Sequence, residues 1–299
     1  MNILISGASG LVGQALIPLL TSGGHRVTCL VRFKPRGGES LVYWNPAAGD
    51  VNASKLEGMD AVVHLAGESI NGRWNAAKKQ AIRESRVKGT RLLCETLVRL
   101  SHRPRVLVAA SASGYYGDRG DEVLREESGA GSSFLSQVCQ EWEAATKSAA
   151  ERGIRAVNLR FGFVLSPAGG GLAKMLPAFK MGVGGKIGSG KQYMSWIAID
   201  DLVQIILFAT NTEALEGPAN AVAPNPVTNL VFTKTLGRVL RRPAIFPMPA
   251  FAVRLAFGEM GKELLLASTR IEPARLLSAG YQFRFPELEG ALRHLLGRE

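Results

Sequence analysis

The chain has 299 residues, 46% hydrophobic and 20% charged, which is long and apolar enough to bury a substantial core. Its formal charge of +11 raises the question of nucleic acid, but the basic residues are spread out and no helix-turn-helix, zinc-finger or RNP-like pattern accompanies them. A basic surface that attracts an anionic, phosphorylated small molecule is the expectation, with no nucleic-acid partner.

Asn2–Ser6 is a short apolar run closed by Gly7 and predicts a buried strand. Gly10–Leu20 carries Leu11, Ala15, Leu16 and Leu19 at helical spacing, and Ser22-Gly23-Gly24 stops that helix. Arg26–Val31 predicts a second strand and Asp60–Leu65 another. A long helical stretch from about Arg73 to Leu100 leads to Val106–Ala110, again a buried strand. Leu135–Ala149 sets Leu135, Val138, Trp142, Ala145 and Ala149 on one helix face, and Ala156–Arg160 follows as a strand. This alternation predicts an α/β fold, a Rossmann-type doubly wound parallel sheet, over residues 1–165. Beyond it the chain is loop-rich at Pro167–Gly171 and Met181–Gly185, with one clear helix at Asp200–Ala209. Residues 166–299 are expected to form mainly a smaller C-terminal cap on the substrate side, with elements returning to the sheet.

No segment approaches the length of a membrane span, and Met1–Ile5 starts a strand rather than a signal peptide, so no membrane partner is expected. Three separated cysteines (Cys29, Cys94 and Cys139) suit a reducing compartment. Four scattered histidines supply no metal-binding spacing. The expected location is cytoplasmic, or the plastid stroma for a chain that has lost a transit peptide. The expected assembly is a monomer or homodimer.

Gly7-Ala8-Ser9-Gly10-Leu11-Val12-Gly13 lies between the first strand and the first helix. Glycines there let the backbone turn tightly and approach a pyrophosphate, whose charge sits at the helix N-terminus. The second strand ends Cys29-Leu-Val-Arg32-Phe-Lys34-Pro-Arg36, and no acid follows until Glu39. An NAD-binding fold carries an acid near this point to accept from the ribose 2′-hydroxyl, whereas an arginine accommodates a 2′-phosphate. Arg32, with Lys34 or Arg36, therefore favours NADP(H).

The Gly-x-x-Gly-x-x-Gly spacing resembles the extended short-chain dehydrogenases/reductases, the group of nucleotide-sugar epimerases and dehydratases. Further likenesses follow in order: His64-Leu65-Ala66-Gly67, Arg86-Val-Lys-Gly-Thr90, Tyr115-Tyr116-Gly117, Arg160-Phe-Gly162-Phe163-Val164 and Trp196-Ile-Ala-Ile-Asp-Asp201. Gly67-Glu68-Ser-Ile, Arg73-Trp-Asn, Cys139-x-x-Trp-Glu143 and Gly280–Pro286 narrow the resemblance to the atypical "epimerase family". Its members are labelled sugar-nucleotide epimerases or, in some bacteria and plastids, cell-division inhibitors. The resemblance implies that Gly7, Ser9, Gly10, Leu11, Val12, Gly13, Arg32, Leu65, Ala66, Gly67, Glu68, Arg86, Gly162, Phe163 and Val164 form the cofactor site.

Proton transfer in that group resembles a Ser/Thr–Tyr–Lys arrangement, with Tyr-x-x-x-Lys one helical turn apart. No Tyr-x-x-x-Lys occurs in this chain; Leu135 and Cys139 occupy those positions, Ala112 the serine position, and Arg86 the family's asparagine. Ser113, Tyr115 and Tyr116 are the candidate replacements. Cys139, on an apolar helix face, reads as buried rather than reactive. Gly185-x-x-x-x-Gly190-Lys191 is similar to a phosphate loop, but Gln192 stands where a Ser/Thr would hold magnesium. Lys186 or Lys191 beside Tyr193 and Trp196 would suit an anionic ring-bearing ligand such as a nucleotide sugar, with Gly182–Gly190 closing over it. Two functions stay open: an NADP(H)-dependent oxidoreductase or epimerase of atypical chemistry, and a non-catalytic NADPH-binding regulatory protein.

Overall fold

A central sheet of eight strands organises the computed structural model, which describes residues 1–35 and 40–298. In chain order the first half runs β1 (Asn2–Ser6), α1 (Leu11–Ser22), β2 (Arg26–Val31), β3 (Leu41–Asn45), β4 (Asp50–Val51), β5 (Ala61–His64), α2 (Ala76–Val98), β6 (Val106–Ala112), β7 (Val123–Leu124), α3 (Phe134–Ala144), α4 (Lys147–Ala150) and β8 (Arg155–Phe161). The second half runs β9 (Phe163–Leu165), α5 (Gly170–Lys180), β10 (Tyr193–Met194), β11 (Trp196–Ala198), α6 (Ile199–Asn211), β12 (Gly217–Ala221), β13 (Val227–Thr228), α7 (Asn229–Leu240), α8 (Ala250–Gly261), β14 (Arg270–Ile271), α9 (Ala274–Ser278) and α10 (Leu288–Leu295).

The sheet order is β12-β8-β6-β5-β1-β2-β3-β4, parallel throughout except for the β3–β4 edge. Its central strands are continuous apolar runs because both faces are covered. Ile3 and Ile5 of β1 point to one face, against Leu16 and Leu20 of α1 and Leu202 and Ile205 of α6. Leu4 points to the other, against Leu93 and Leu97 of α2. The chain leaves β1 towards β2 and β3, then crosses back to β5 on the opposite side. That reversal opens a crevice at the carboxyl ends of β1 and β5, the ligand position of doubly wound sheets.

The expected doubly wound sheet is present, with two local corrections. β3 is a strand that the sequence reading passed over, so Ala61–His64 is the fifth strand rather than the third. The helix expected over Leu135–Ala149 divides at Ala145–Thr146, where the Thr146 hydroxyl donates to the Glu143 carbonyl at 2.8 Å and meets Asn158 of β8. From the second half, β12 returns to pair with β8 along Gly217–Ala221. Helix α8 continues, past a kink at Gly258 (φ 60°), into a π-helical turn at Lys262–Leu266. Among the described residues no helix is long and apolar enough to cross a membrane.

Candidate cofactor and active site

Gly7 leaves β1 with φ +75°, and a β-carbon on it would fall 2.7 Å from the Leu65 carbonyl carbon and 2.8 Å from the Ala66 nitrogen. The turns after β1 and β5 are thus pressed together, and glycine alone permits it. Gly13 closes the same turn from α1, where a β-carbon would fall 2.5 Å from the Gly7 carbonyl oxygen. Gly10 donates its N–H to that oxygen at 3.0 Å. As the N-cap of α1 it offers no side-chain acceptor, and no acid stands in the first turn. The N–H groups and positive end of the helix at Leu11, Val12 and Gly13 are therefore free to meet an anion. Exposed Ser9 lends its carbonyl to the Gln14 amide at 3.1 Å.

A buried chain of hydrogen bonds braces this turn from below. Ser6 and His64, paired in register on β1 and β5, meet at 2.6 Å through Ser6 Oγ and His64 Nδ1. Ser6 Oγ already accepts from the Leu65 and Ala66 N–H groups at 3.1 and 3.2 Å, so its own proton goes to Nδ1. His64 Nε2–H is then the donor to Thr90 Oγ1 at 3.0 Å, which also accepts from Trp142 Nε1 at 2.9 Å. Burial lowers the His64 pKa to about 4, so the ring is neutral.

Arg32 is exposed just past the end of β2, and the Lys34 ammonium lies 6.0 Å from the Tyr43 ring centroid. Arg36 and Glu39 lie outside the described residues. Across the crevice, Glu68 follows the Leu65-Ala66-Gly67 turn and pairs with Lys78 at 2.7 Å. The Lys78 hydrogen bond, helped by the charges of Lys78, Arg32 and Arg86, holds the Glu68 carboxyl below its usual range. Arg86 donates through Nη1 to the Glu68 and Ile82 carbonyls at 3.0 and 3.2 Å, and its guanidinium carbon lies 5.0 Å from the centroid of the Trp142 ring. Burial draws its pKa downward. A β-carbon on Gly67 would fall 3.2 Å from the Arg86 guanidinium carbon, so cation and turn are in contact.

The residues after β6 divide into two groups. Ser111 donates to Glu143 Oε1 at 2.6 Å, and Glu143 grips Arg160 of β8 through two bonds of 2.8 Å. Arg160 donates in turn to the Tyr116 hydroxyl at 2.9 Å, which donates to Asn220 Oδ1 at 2.7 Å. Tyr116 is wholly buried beside Leu124, Val222 and Ile271; burial pushes its phenol up to about 12, although Arg160 works the other way. This candidate for proton transfer is a core residue of the hydrogen-bonded interior. Ser113 and Tyr115 are half-buried on the single turn that follows, and the Arg160 guanidinium lies 3.5 Å from the Tyr115 ring centroid.

On α3, Leu135 packs its side chain against Gly114, where a β-carbon would fall 3.2 Å from Leu135 Cβ. The Cys139 thiol is buried, within 3.8 Å of the Ala112 carbonyl, and burial pushes it up to about 12. Neither position offers a proton carrier at neutral pH. The first turn of α3 is closed from the second half: the Glu263 carboxylate accepts from Ser133 Oγ, Phe134 N–H and Leu135 N–H at 2.9, 3.1 and 3.0 Å.

Gly162 is packed so tightly that a β-carbon would fall 2.6 Å from the Ser195 carbonyl oxygen, and Phe163 N–H donates to that oxygen at 2.7 Å. Phe163 and Val164 continue as β9 alongside β11, with Phe163 opposite Trp196. The Gly169–Gly171 turn rests on Leu11 and Phe163, bringing the second half onto the helix end that faces the crevice. The loop at Gly185–Lys191 does not form a phosphate cradle, because its N–H groups are engaged: Ile187 with Asn229 Oδ1, Gly188 with the Met248 carbonyl, Gly190 with the Ile187 carbonyl and Lys191 with Ser189 Oγ. Gln192 ties it further, donating to the Ile187 and Leu265 carbonyls at 3.0 Å each, and Lys186 bonds back to Ser189. Among the described residues no group of His, Cys, Asp and Glu is placed to hold a metal.

The sequence reading missed three parts of this site. The Ser6–His64–Thr90 brace was detectable only as polar residues ending two apolar strands. The Glu143–Arg160 pair was visible as two motif residues without a link between them. Nothing local to Glu263 points to the helix it caps.

Residues 3–222 match the model of the NAD dependent epimerase/dehydratase family, and residues 248–295 match a domain of unknown function, DUF1731. An epimerase family protein of Mycobacterium tuberculosis is 43% identical over 297 residues, 99% of this chain and 98% of that one. The human epimerase family protein SDR39U1 is 37% identical over 300 residues, covering 99% of this chain and 100% of its own. The crystal structure of human SDR39U1 with NADPH covers 100% of both chains at 35% identity with a TM-score of 0.90. A nucleoside-diphosphate sugar epimerase from Corynebacterium glutamicum has a TM-score of 0.83 at 40% identity, and this chain spans 59% of that longer one. Sequence, fold and the turns around Gly7 and Gly67 agree: this chain belongs to the NAD dependent epimerase/dehydratase family, as an atypical extended short-chain dehydrogenase/reductase.

Proposed function

We propose that this chain binds NADPH across the carboxyl ends of β1, β2, β5, β6 and β8, and acts as an oxidoreductase or epimerase on an anionic small molecule. The observation that carries the reading is Arg32, an exposed guanidinium where an NAD-specific chain would carry an acid. Gly7, Ser9, Gly10 and the N–H groups of Leu11–Gly13 hold the diphosphate, and Leu65–Glu68 flank the adenine-side ribose. Arg86 and Gly162–Val164 serve the nicotinamide side. The human relative crystallised with NADPH supports this choice of cofactor. Bound there, the cofactor supplies hydride chemistry. On this reading residues 1–165 carry the cofactor and residues 166–299 mainly cover the substrate, with a nucleotide sugar as the first class to try.

Ser113 and Tyr115 are the hydroxyls proposed to move the substrate proton. The bonds described above engage Ser111 and Tyr116, and leave these two without a protein partner among the described residues. A second reading, a cofactor-binding regulatory protein, is favoured by one observation: the α3 face at Leu135 and Cys139 carries no group that exchanges a proton at neutral pH.

NADPH titration followed by turnover against carbonyl compounds and nucleotide sugars tests both readings. Turnover that falls in Tyr115→Phe or Ser113→Ala, with NADPH binding retained, supports the enzyme. Binding with neither oxidation of NADPH nor conversion of any sugar supports the regulatory module. Absence of NADPH binding sinks both.

A further inference from the structure

Two long stretches of the chain, between Glu151 and Asp200 and between Glu216 and Glu259, contain no acidic residue. The fold lays them side by side. Phe246 N–H donates to the Gly184 carbonyl at 3.1 Å, Met248 N–H to the Lys186 carbonyl at 2.9 Å, and Arg242 Nε to the Lys180 carbonyl at 3.0 Å. Gly185 makes the approach possible, since a β-carbon there would fall 1.9 Å from the Phe246 carbonyl oxygen.

From this ribbon, large apolar side chains stand out into solvent: Met181 is 71% exposed, Val183 51%, Ile245 73% and Phe246 57%. Helix α8 continues the series with Phe251 at 71% and Leu255 at 75%, one turn apart on the same face. Single exposed apolar residues are ordinary, but six on adjoining segments form the kind of patch that marks an interaction surface. Exposed Lys180, Arg241, Arg242 and Arg254 are interspersed with them. Neighbouring Arg238 is matched by Glu289, whereas none of these four is paired with a carboxylate among the described residues.

We propose that this face docks on an anionic lipid surface. Apolar side chains that protrude by half to three-quarters of their area can enter the headgroup–acyl boundary, while the unpaired cations rest on anionic headgroups. A protein partner seated on anchor residues needs pockets for them, whereas these side chains stand proud of the surface, which suits a deformable partner. The expectation of no membrane partner rested on the lack of a spanning segment, and surface attachment needs none. The proposal does not depend on the cofactor reading.

Flotation of the full chain with vesicles tests it, comparing phosphatidylcholine alone with phosphatidylcholine plus phosphatidylglycerol. The chain is expected to float with the anionic vesicles, less so at high salt. Ile245→Ser/Phe246→Ser and, separately, Lys180→Glu/Arg241→Glu are each expected to weaken binding by about tenfold or more. Unchanged thermal unfolding of both variants excludes loss of the fold. Failure to float, or variants that float like the parent chain, overturns the proposal. Failure to float together with a dimer that Ile245→Ser/Phe246→Ser dissociates overturns it in favour of contact between two copies of the chain.

Discussion

Glu143 and Arg160 meet as a bidentate ion pair, Oε1 to Nε and Oε2 to Nη2 at 2.8 Å each, with the arginine only 2% exposed. Burial works against the arginine's charge, but the hydrogen bonds and charge of Glu143 hold its pKa above the usual value. Glu143→Ala strands a buried guanidinium and is expected to cost about 3–5 kcal/mol in urea unfolding. The double replacement Glu143→Leu/Arg160→Met is expected to cost less than Glu143→Ala alone. A larger loss in the double variant would show that the pair adds more than it costs to bury.

Arg32 is expected to set the cofactor preference. Fluorescence titration is expected to give NADPH roughly tenfold or greater preference over NADH, because charge-assisted contacts to phosphate contribute about 1.5–3 kcal/mol. Arg32→Ala is expected to remove most of that preference while leaving NADH affinity nearly unchanged. Equal affinities in the parent chain would reject the assignment.

His64 is expected to make the protein acid-sensitive. Its folded pKa of about 4 lies below the ordinary 6.5, so the unfolded state binds the proton more tightly. The neutral ring's contribution is therefore fully present above about pH 6.5 and is lost as the pH falls through 4, amounting to about 3 kcal/mol. Denaturation midpoints measured between those pH values are expected to fall steadily, and less steeply in His64→Gln. Equal slopes in the two proteins would assign the acid sensitivity to other groups.

Two glycines separate strain from collision. Gly24 and Gly7 share nearly the same φ, +76° and +75°, but a β-carbon on Gly24 meets nothing within 4 Å. Gly24→Ala is expected to cost only the left-handed conformation, about 1–2 kcal/mol. Gly7→Ala adds a collision with the Leu65 backbone and is expected to cost at least about 2 kcal/mol more, in thermal unfolding of the two variants side by side.

The fold was legible because its evidence is periodic: Ile3–Ile5, Ala61–Val63 and Val106–Ala110 are apolar runs of strand length, separated by helical spacing. The crevice was legible at Gly7 and Gly13, where backbone geometry dictates the residue. Strand β3 escaped because Leu41-Val-Tyr-Trp-Asn45 follows a glycine pair and, close to the edge of the sheet, alternates buried and half-buried residues instead of forming a continuous apolar run. The burial of Tyr116 was not legible for a different reason. Tyrosines 115 and 116 are adjacent, and only the third dimension sends one towards Asn220 in the interior and leaves the other half-buried. The partners of Arg160 and His64 come from α3, the turn after β6, β1 and α2, and no single stretch of sequence records such a meeting.

Helix α3 begins with a donor set that its own stretch of sequence does not fully satisfy. The carboxylate that accepts from Ser133, Phe134 and Leu135 belongs to Glu263, 128 residues beyond Leu135, inside the segment matched by the second family model. The place where one family match stops and the other starts is therefore no natural cutting line. A protein shortened before residue 248 would carry a frayed helix end beside Gly114 and Ser113. Conversely, a graft of the tail onto another sheet would need a recipient helix whose first turn awaits a foreign carboxylate. Glu263 thus ties the two matched segments together at the start of α3.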